Sequence, residues 1–149
     1  MVDFADEFAR RVETIFRSEM QQLYPGMPVK FEDMPFKQPT KAPWAEFTIL
    51  ENKEEQITLG RKMVMRTSGF LQIDVFHPLD EGVRAPKKIG HAAADIFANR
   101  KFKAETISIS FFEKHVMKAP SDGARVRIMA RVFFLYDGER VREGVQHIA

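Results

Sequence analysis

The chain contains no cysteine, which excludes a disulfide framework, a thiol nucleophile and a thiolate metal site. A glycine-rich phosphate loop is also missing: "SGF", "LGRK" and "DGARVR" each hold one glycine, without the spacing that aims successive amides at a phosphate. The four histidines, His77, His91, His115 and His147, form no His-x-x-x-His or Glu-x-x-His pair, so no metal or cofactor is expected. Charge of one sign is scarce, with 23 Lys plus Arg against 21 Asp plus Glu for a net +2, a balance unlike that of a dedicated nucleic-acid binder. No window reaches the roughly 18 apolar residues of a membrane span. The N-terminal "MVDFADEFARRVETIF" lacks the continuous apolar stretch of a signal peptide, so the expectation is a soluble protein without membrane partners.

What is present is phenylalanine, 14 copies against one Trp and two Tyr, which supplies apolar area without a polar tip and suits a packed core or an assembly interface. At 149 residues, 44% hydrophobic and 30% charged, the chain predicts one domain over 1–149, with 1–3 and 139–149 frayed.

Asp3 is placed to cap a helix whose apolar residues, Phe4, Phe8, Val12, Ile15, Phe16 and Leu23, fall on one stripe that ends at Pro25-Gly26. Four prolines between Met27 and Pro43 leave room only for a short edge strand near Val29–Glu32. "WAEFTILE" (44–51) reads as a strand, and "MVMR" leads through "TSG" into "FLQIDVFH", with Leu71, Ile73 and Val75 on one face and Phe70, Gln72, Asp74 and Phe76 on the other. Pro86 suits the first turn of a second helix with a stripe of Ile89, Ala92, Ala93, Ile96 and Phe97. "ETISISFF" and "RVRIMARVFFLY" read as two further strands, the latter closed by Tyr136-Asp137-Gly138. The charged stretches Asn52–Lys62 and Glu113–Ala124 read as long loops, ordered only in an assembly. This order predicts an α+β fold: a mixed, mostly antiparallel sheet with two helices packed on one face.

Several groups invite a chemical reading. Asp74, His77 and Asp80-Glu81 at one strand end offer carboxylates and an imidazole for a small ligand-binding domain or enzyme, although Asp80-Glu81-Gly82 is more simply a turn. His91 and Asp95 share a helical face, but no nucleophile comes with them. Lys87 and Lys88 oppose the helix macrodipole unless Asp80 and Glu81 neutralise them. Arg125, Arg127 and Arg131 alternate along the last strand and share a face with Met129 and Phe133, a mixture of interface character.

The run "GFLQIDVFHPLDEGVRAPKKIGHAAADIFANRKF", with "PWAEFTILENKEEQITLG" before it and "ARVRIMARVFFLYDG" after it, resembles the tail terminator, or tail-completion, proteins of long-tailed bacteriophages, the minor tail protein U type. The likeness covers Phe4 to Gly138 and leaves Met27–Pro43 and the tail after Gly138 unaligned. It implies a structural, non-enzymatic virion protein that caps a growing tail tube, ends polymerisation and provides the head-joining surface. The implied partners are copies of itself in a six-subunit ring, the tail tube protein and a head-tail connector protein, with DNA only passing through the ring. The implied location is the head-proximal end of the virion tail, reached from the host cytoplasm during assembly. A head-tail connector or a tube component is the neighbouring alternative. The expected interface residues are Lys53, Glu54, Glu55, Arg61 and Lys62 in one polar stretch, Lys114, Lys118 and Asp122 in the other, and Arg127, Arg131 and Phe133 on the last strand.

Overall fold

The computed structural model describes residues 3–58, 62–79, 82–104, 106–121, 123 and 125–141, and of Lys62, Arg140 and Val141 the backbone only. The elements follow the order α1 (Phe4–Leu23), β1 (Val29–Phe31), β2 (Trp44–Gln56), β3 (Lys62–Pro78), α2 (Arg84–Asp95), β4 (Lys101–Lys103), β5 (Ile107–Ala119) and β6 (Arg125–Val141). The strands form one six-stranded sheet, β1-β2-β3-β6-β5-β4. Only β1 pairs in parallel, with β2, so the fold is α+β with a mixed, mostly antiparallel sheet, as expected.

The first helix forms as its sequence dictates. Asp3 caps it by accepting from the Asp6 amide at 3.0 Å, and Phe4, Phe8, Val12, Phe16 and Met20, spaced by four, bury one stripe. Leu23, one residue short of the next position in that series, is exposed. The stripe lies on the sheet face that carries Phe47, Leu71, Ile73, Val75, Ile128, Ala130, Val132, Phe134 and Tyr136. Phenylalanines run through this layer as a connected series: Phe16 stacks on Phe47 at 4.6 Å, Phe97 meets Phe111 at 5.0 Å, and Phe8 lies 4.4 Å from Phe134. The second helix covers the rest of the same face with Pro86, Ile89, Gly90, Ala93 and Ala94. A Cβ on Gly90 would lie 3.0 Å from the Ile128 side chain, so this helix sits close against β6. Ala92, expected on the stripe, is half-buried and Ala94 takes the inner place.

Two expectations are corrected. The stretches Asn52–Lys62 and Glu113–Ala124 are not long loops: β2 continues to Gln56 and β3 begins at Lys62, while β5 continues to Ala119 and β6 begins at Arg125. Residues 51–58 are exposed throughout. With neither face buried, the alternation that marks a strand has no reason to appear there, and the backbone ladder alone carries the pairing. β6 likewise runs past Gly138 to Val141, paired with β3 to its end. The three-residue β4 was not expected.

Tyr136 gives this core a measurable pH response. It is 2% exposed, and burial pushes its phenol from 10.0 up to about 12, against the pull of the Thr67 hydroxyl bond. The folded state thus holds the proton more tightly than the unfolded chain, so this contribution to stability is complete below pH 10 and declines as pH rises toward 12. Urea midpoints measured from about pH 9 to 11 should fall more steeply for the wild type than for Tyr136→Phe; equal slopes would refute it.

Candidate interaction surface

The helices cover one face of the sheet and leave the other without a helical layer. Period-two alternation brings Trp44, Glu46, Thr48 and Leu50 of β2, Phe70, Gln72, Asp74 and Phe76 of β3, and Arg127, Met129, Arg131 and Phe133 of β6 onto that second face. Asp74, 3% exposed, is held from two sides: Arg127 Nε donates to Oδ1 at 3.0 Å and Gln72 Nε2 to Oδ2 at 2.9 Å. Gln72 Oε1 in turn accepts from Arg131 Nε at 3.1 Å. The Arg131 guanidinium lies over the Phe70 ring at 4.5 Å, and Phe70 meets Phe133 edge-on at 5.8 Å. His115 of β5 meets the other side of Phe133, also at 5.8 Å. The arginines are therefore fixed by a carboxylate, an amide and a ring, an arrangement that orients both charge and aromatic edge.

At one end this face is covered by the proline-rich connection. Phe36 packs on Trp44 at 5.1 Å, Trp44 stacks on Phe76 at 4.2 Å, and Arg125 Nη2 donates to the carbonyls of Pro39 and Thr40. Arg125 is therefore a buried anchor for the connection and not part of a solvated face. Toward the middle the face opens, with Leu50 37%, Phe133 41% and Met117 44% exposed; Phe112, at the β5 irregularity, is 44% exposed.

The expected interface residues divide. Arg127, Arg131 and Phe133 come together on this face. Lys53, Glu54 and Glu55 lie on the far half of β2, and Lys118 on β5 at the opposite side of the sheet, so the two polar groups do not meet within one subunit. Lys114 is engaged internally, its Nζ 2.7 Å from Asp95 Oδ1 on α2, which also takes Asp95 away from the expected His91 pairing. Arg61, Asp122 and the Lys62 side chain lie outside the described residues, as do Asp80 and Glu81 with their expected neutralisation of Lys87 and Lys88.

Of the alternative strand-end site, Asp74 and His77 do not come together, and Asp80 and Glu81 lie outside the described residues. Asp74 and His77 are three residues apart on one strand, and that odd spacing sends them to opposite faces. Among the described residues no group of three or more His, Asp or Glu is arranged to hold a metal ion. An open groove of about 550 Å³ beside α1 is lined by Glu7, Arg10, Arg11, Thr14, Lys103 and Ala104, but Glu7 there is bound to Thr106 and Arg10 pairs with Asp6. Sequence reasoning missed Trp44, Leu50 and the Gln72–Asp74 bridge as parts of the surface. The even-numbered alternation on β2 and β3 was the available signal.

Among the described residues no helix is long and apolar enough to cross a membrane. No protein of curated function matches the sequence. Among the solved structures that match, one shares the fold with a TM-score of 0.56 and 14% identity over 88% of this chain and 98% of its own. A family model described as phage tail terminator protein matches residues 9–134, from the first half of α1 to the centre of β6, including all of the open sheet face. The chain belongs to the phage tail terminator family, whose members are structural proteins of the virion tail.

Proposed function

We propose that this chain, as one domain over its full length, caps the growing end of a long tail tube, ends polymerisation and offers the surface to which the head is joined. In this reading it works without catalysis, as a ring of six copies placed at the head-proximal end after assembly in the host cytoplasm. Its contacts are the tail tube protein, a head-tail connector protein and neighbouring copies, and DNA only passes through the ring.

Family membership supports the tail role, and the observation that carries the surface assignment is the open face around Phe133. There a large ring is 41% exposed yet held between Phe70 and His115 beside an arginine bound to Gln72. Rigid, partly exposed aromatics and arginines lose little entropy on binding and are typical anchors of protein interfaces.

Phe133→Asp tests it. The side chain is near the surface, so thermal stability should change by no more than about 1 kcal/mol. In an assembly mixture with tube protein, the wild type should give tubes of uniform length with label at one end, while the variant leaves tubes overlong and uncapped. Wild-type label scattered along tubes, or normal capping by the variant, would contradict the reading. A tube component would instead polymerise unaided into filaments, and a connector would bind only tubes already ended.

A further inference from the structure

The sheet is only half edged on each side. β1 covers the outer side of β2 at Ala45–Phe47, and β4 covers the outer side of β5 at Ser108–Ser110. Small additions extend the cover: Glu32 Oε1 accepts from the Ile49 amide, and Asn99 and Arg100 pair with Phe112 and Phe111. Beyond these points, Glu51–Gln56 on β2 and Glu113–Ala119 on β5 have no backbone partner on their outer sides among the described residues. Bare edges of this length are templates for pairing with another chain.

The two edges suit one another. β2 is antiparallel to β3, β3 to β6 and β6 to β5, so β5 runs opposite to β2. A second copy laid beside the first in the same orientation therefore presents its β5 antiparallel to the first copy's β2. Charge also matches on the helix-covered side. On the helix-covered side, Glu51 accepts a bond from the buried Tyr136 and Glu54 pairs across from the buried Thr67, while Lys114 and Lys118 lie across from Val132 and Ile128 on that same side. The β2 edge thus carries Glu51 and Glu54 on the side where the β5 edge carries Lys118, Lys114 there being held by Asp95 of its own subunit. On the open side the β2 edge carries Lys53 and Glu55, paired with each other at 3.4 Å, and the β5 edge carries His115 and Met117.

We propose that Glu51–Gln56 of one subunit pairs antiparallel with Glu113–Ala119 of the next, joining the sheets of successive subunits around the ring. This rests on the ring reading above and names its subunit contact. The contact is heterologous, which propagates to a ring when the rotation closes. The geometry bears on closure because the bare halves lie at diagonally opposite corners, β2's beside Met65–Ser68 of β3 and β5's beside Arg127–Val132 of β6. Joining them steps each subunit along the strands by about six residues, or about 20 Å at ~3.4 Å per residue. The width gained is about 19 Å for the long strands β2, β3, β6 and β5 at ~4.8 Å spacing. That step is absorbed without climbing when the strands tilt about 45° to the ring axis, close to the roughly 35–45° tilt of closed barrels.

The absence of native cysteine makes cross-linking a clean test. Glu54→Cys is combined in turn with Lys114→Cys, Val116→Cys and Lys118→Cys in the full chain. The two positions lie on opposite edges of one subunit, so any disulfide joins two copies, and its geometry tolerates only Cα separations of roughly 4.4–6.8 Å. On oxidation with tail tubes present, one pairing should yield covalent multimers up to the closed ring, far more than the other two, because strand register selects it. Wild-type rings at tube ends with no cross-link from any of the three would overturn the contact and leave the ring reading standing. If the wild type forms no ring by microscopy or native mass, both fall together. A benzophenone attached to Glu54→Cys that marks a tube subunit, and not the Glu113–Ala119 segment of a second copy, would also overturn it.

Discussion

Replacing Gly69 by alanine is expected to destabilise the protein by about 3 kcal/mol or more, lowering its melting temperature by roughly 10 °C. A Cβ at this position would lie 2.1 Å from the Leu50 carbonyl oxygen and 2.9 Å from Glu51 Cα. These are backbone atoms of the neighbouring strand and have no rotamer to escape into. The crowding arises where the β2–β3 register shifts between Glu51 and Lys53, so the carbonyl of Leu50 is pressed toward β3. Relief requires breaking the irregularity and loosening everything past it, including the bare edge Glu51–Gln56. Hydrogen exchange should therefore quicken at residues 51–56 and 62–68 more than in Val126–Phe134. Gly82→Ala is the control: its φ of +77° brings backbone strain, but the added atom meets nothing within 4 Å. The expected cost there is only about 1 kcal/mol. A melting temperature for Gly69→Ala equal to that of the control would show that the close approach does not constrain the fold.

The second large effect is expected from Phe8→Ala, at about 3–5 kcal/mol by urea unfolding. Phe8 is 0% exposed, 4.4 Å from Phe134, 4.5 Å from Tyr136 and 6.5 Å from Phe111, so one ring joins α1 to both β5 and β6. Its removal leaves a cavity lined by rigid rings that collapse poorly, which puts the cost at the upper part of the range for large-to-small changes. Phe8→Leu should recover more than half of the loss, since it restores most of the volume without the ring contacts. A cost below about 1 kcal/mol for the alanine variant would mean that α1 is held mainly by other residues.

Where burial is one-sided, the sequence spoke clearly. α1 was legible to its ends because Asp3, the four-residue spacing of Phe4, Phe8, Val12 and Phe16 and Pro25-Gly26 each act locally, although Met20 and not Leu23 completes the stripe. The inner faces of β3 and β6 were legible because Leu71, Ile73 and Val75, and Val126 to Phe134, alternate against a buried layer. The far half of β2 was read as a loop because Lys53, Glu54 and Glu55 are exposed and a strand without a buried side leaves no period to detect, whereas at the end of β5 the polar Lys114 and Lys118 flank Val116 on its inward side and hide the period. Arg127, Arg131 and Phe133 stood out as a mixed face on one strand. Their partners Phe70, Gln72 and Asp74 lie more than fifty residues away and join them only through the β3–β6 register.

The sequence by itself determined the class of fold, the stripe on each helix, the absence of thiol chemistry and, through its resemblance, the phage tail family, since all of these rest on residue type and local spacing. Only the tertiary structure decided that the open face is a hydrogen-bonded surface and that two polar stretches are half-bare sheet edges at diagonal corners. Those depend on strand order and register, which are set by burying α1 and α2 on one side of the sheet and which no single stretch of the chain encodes.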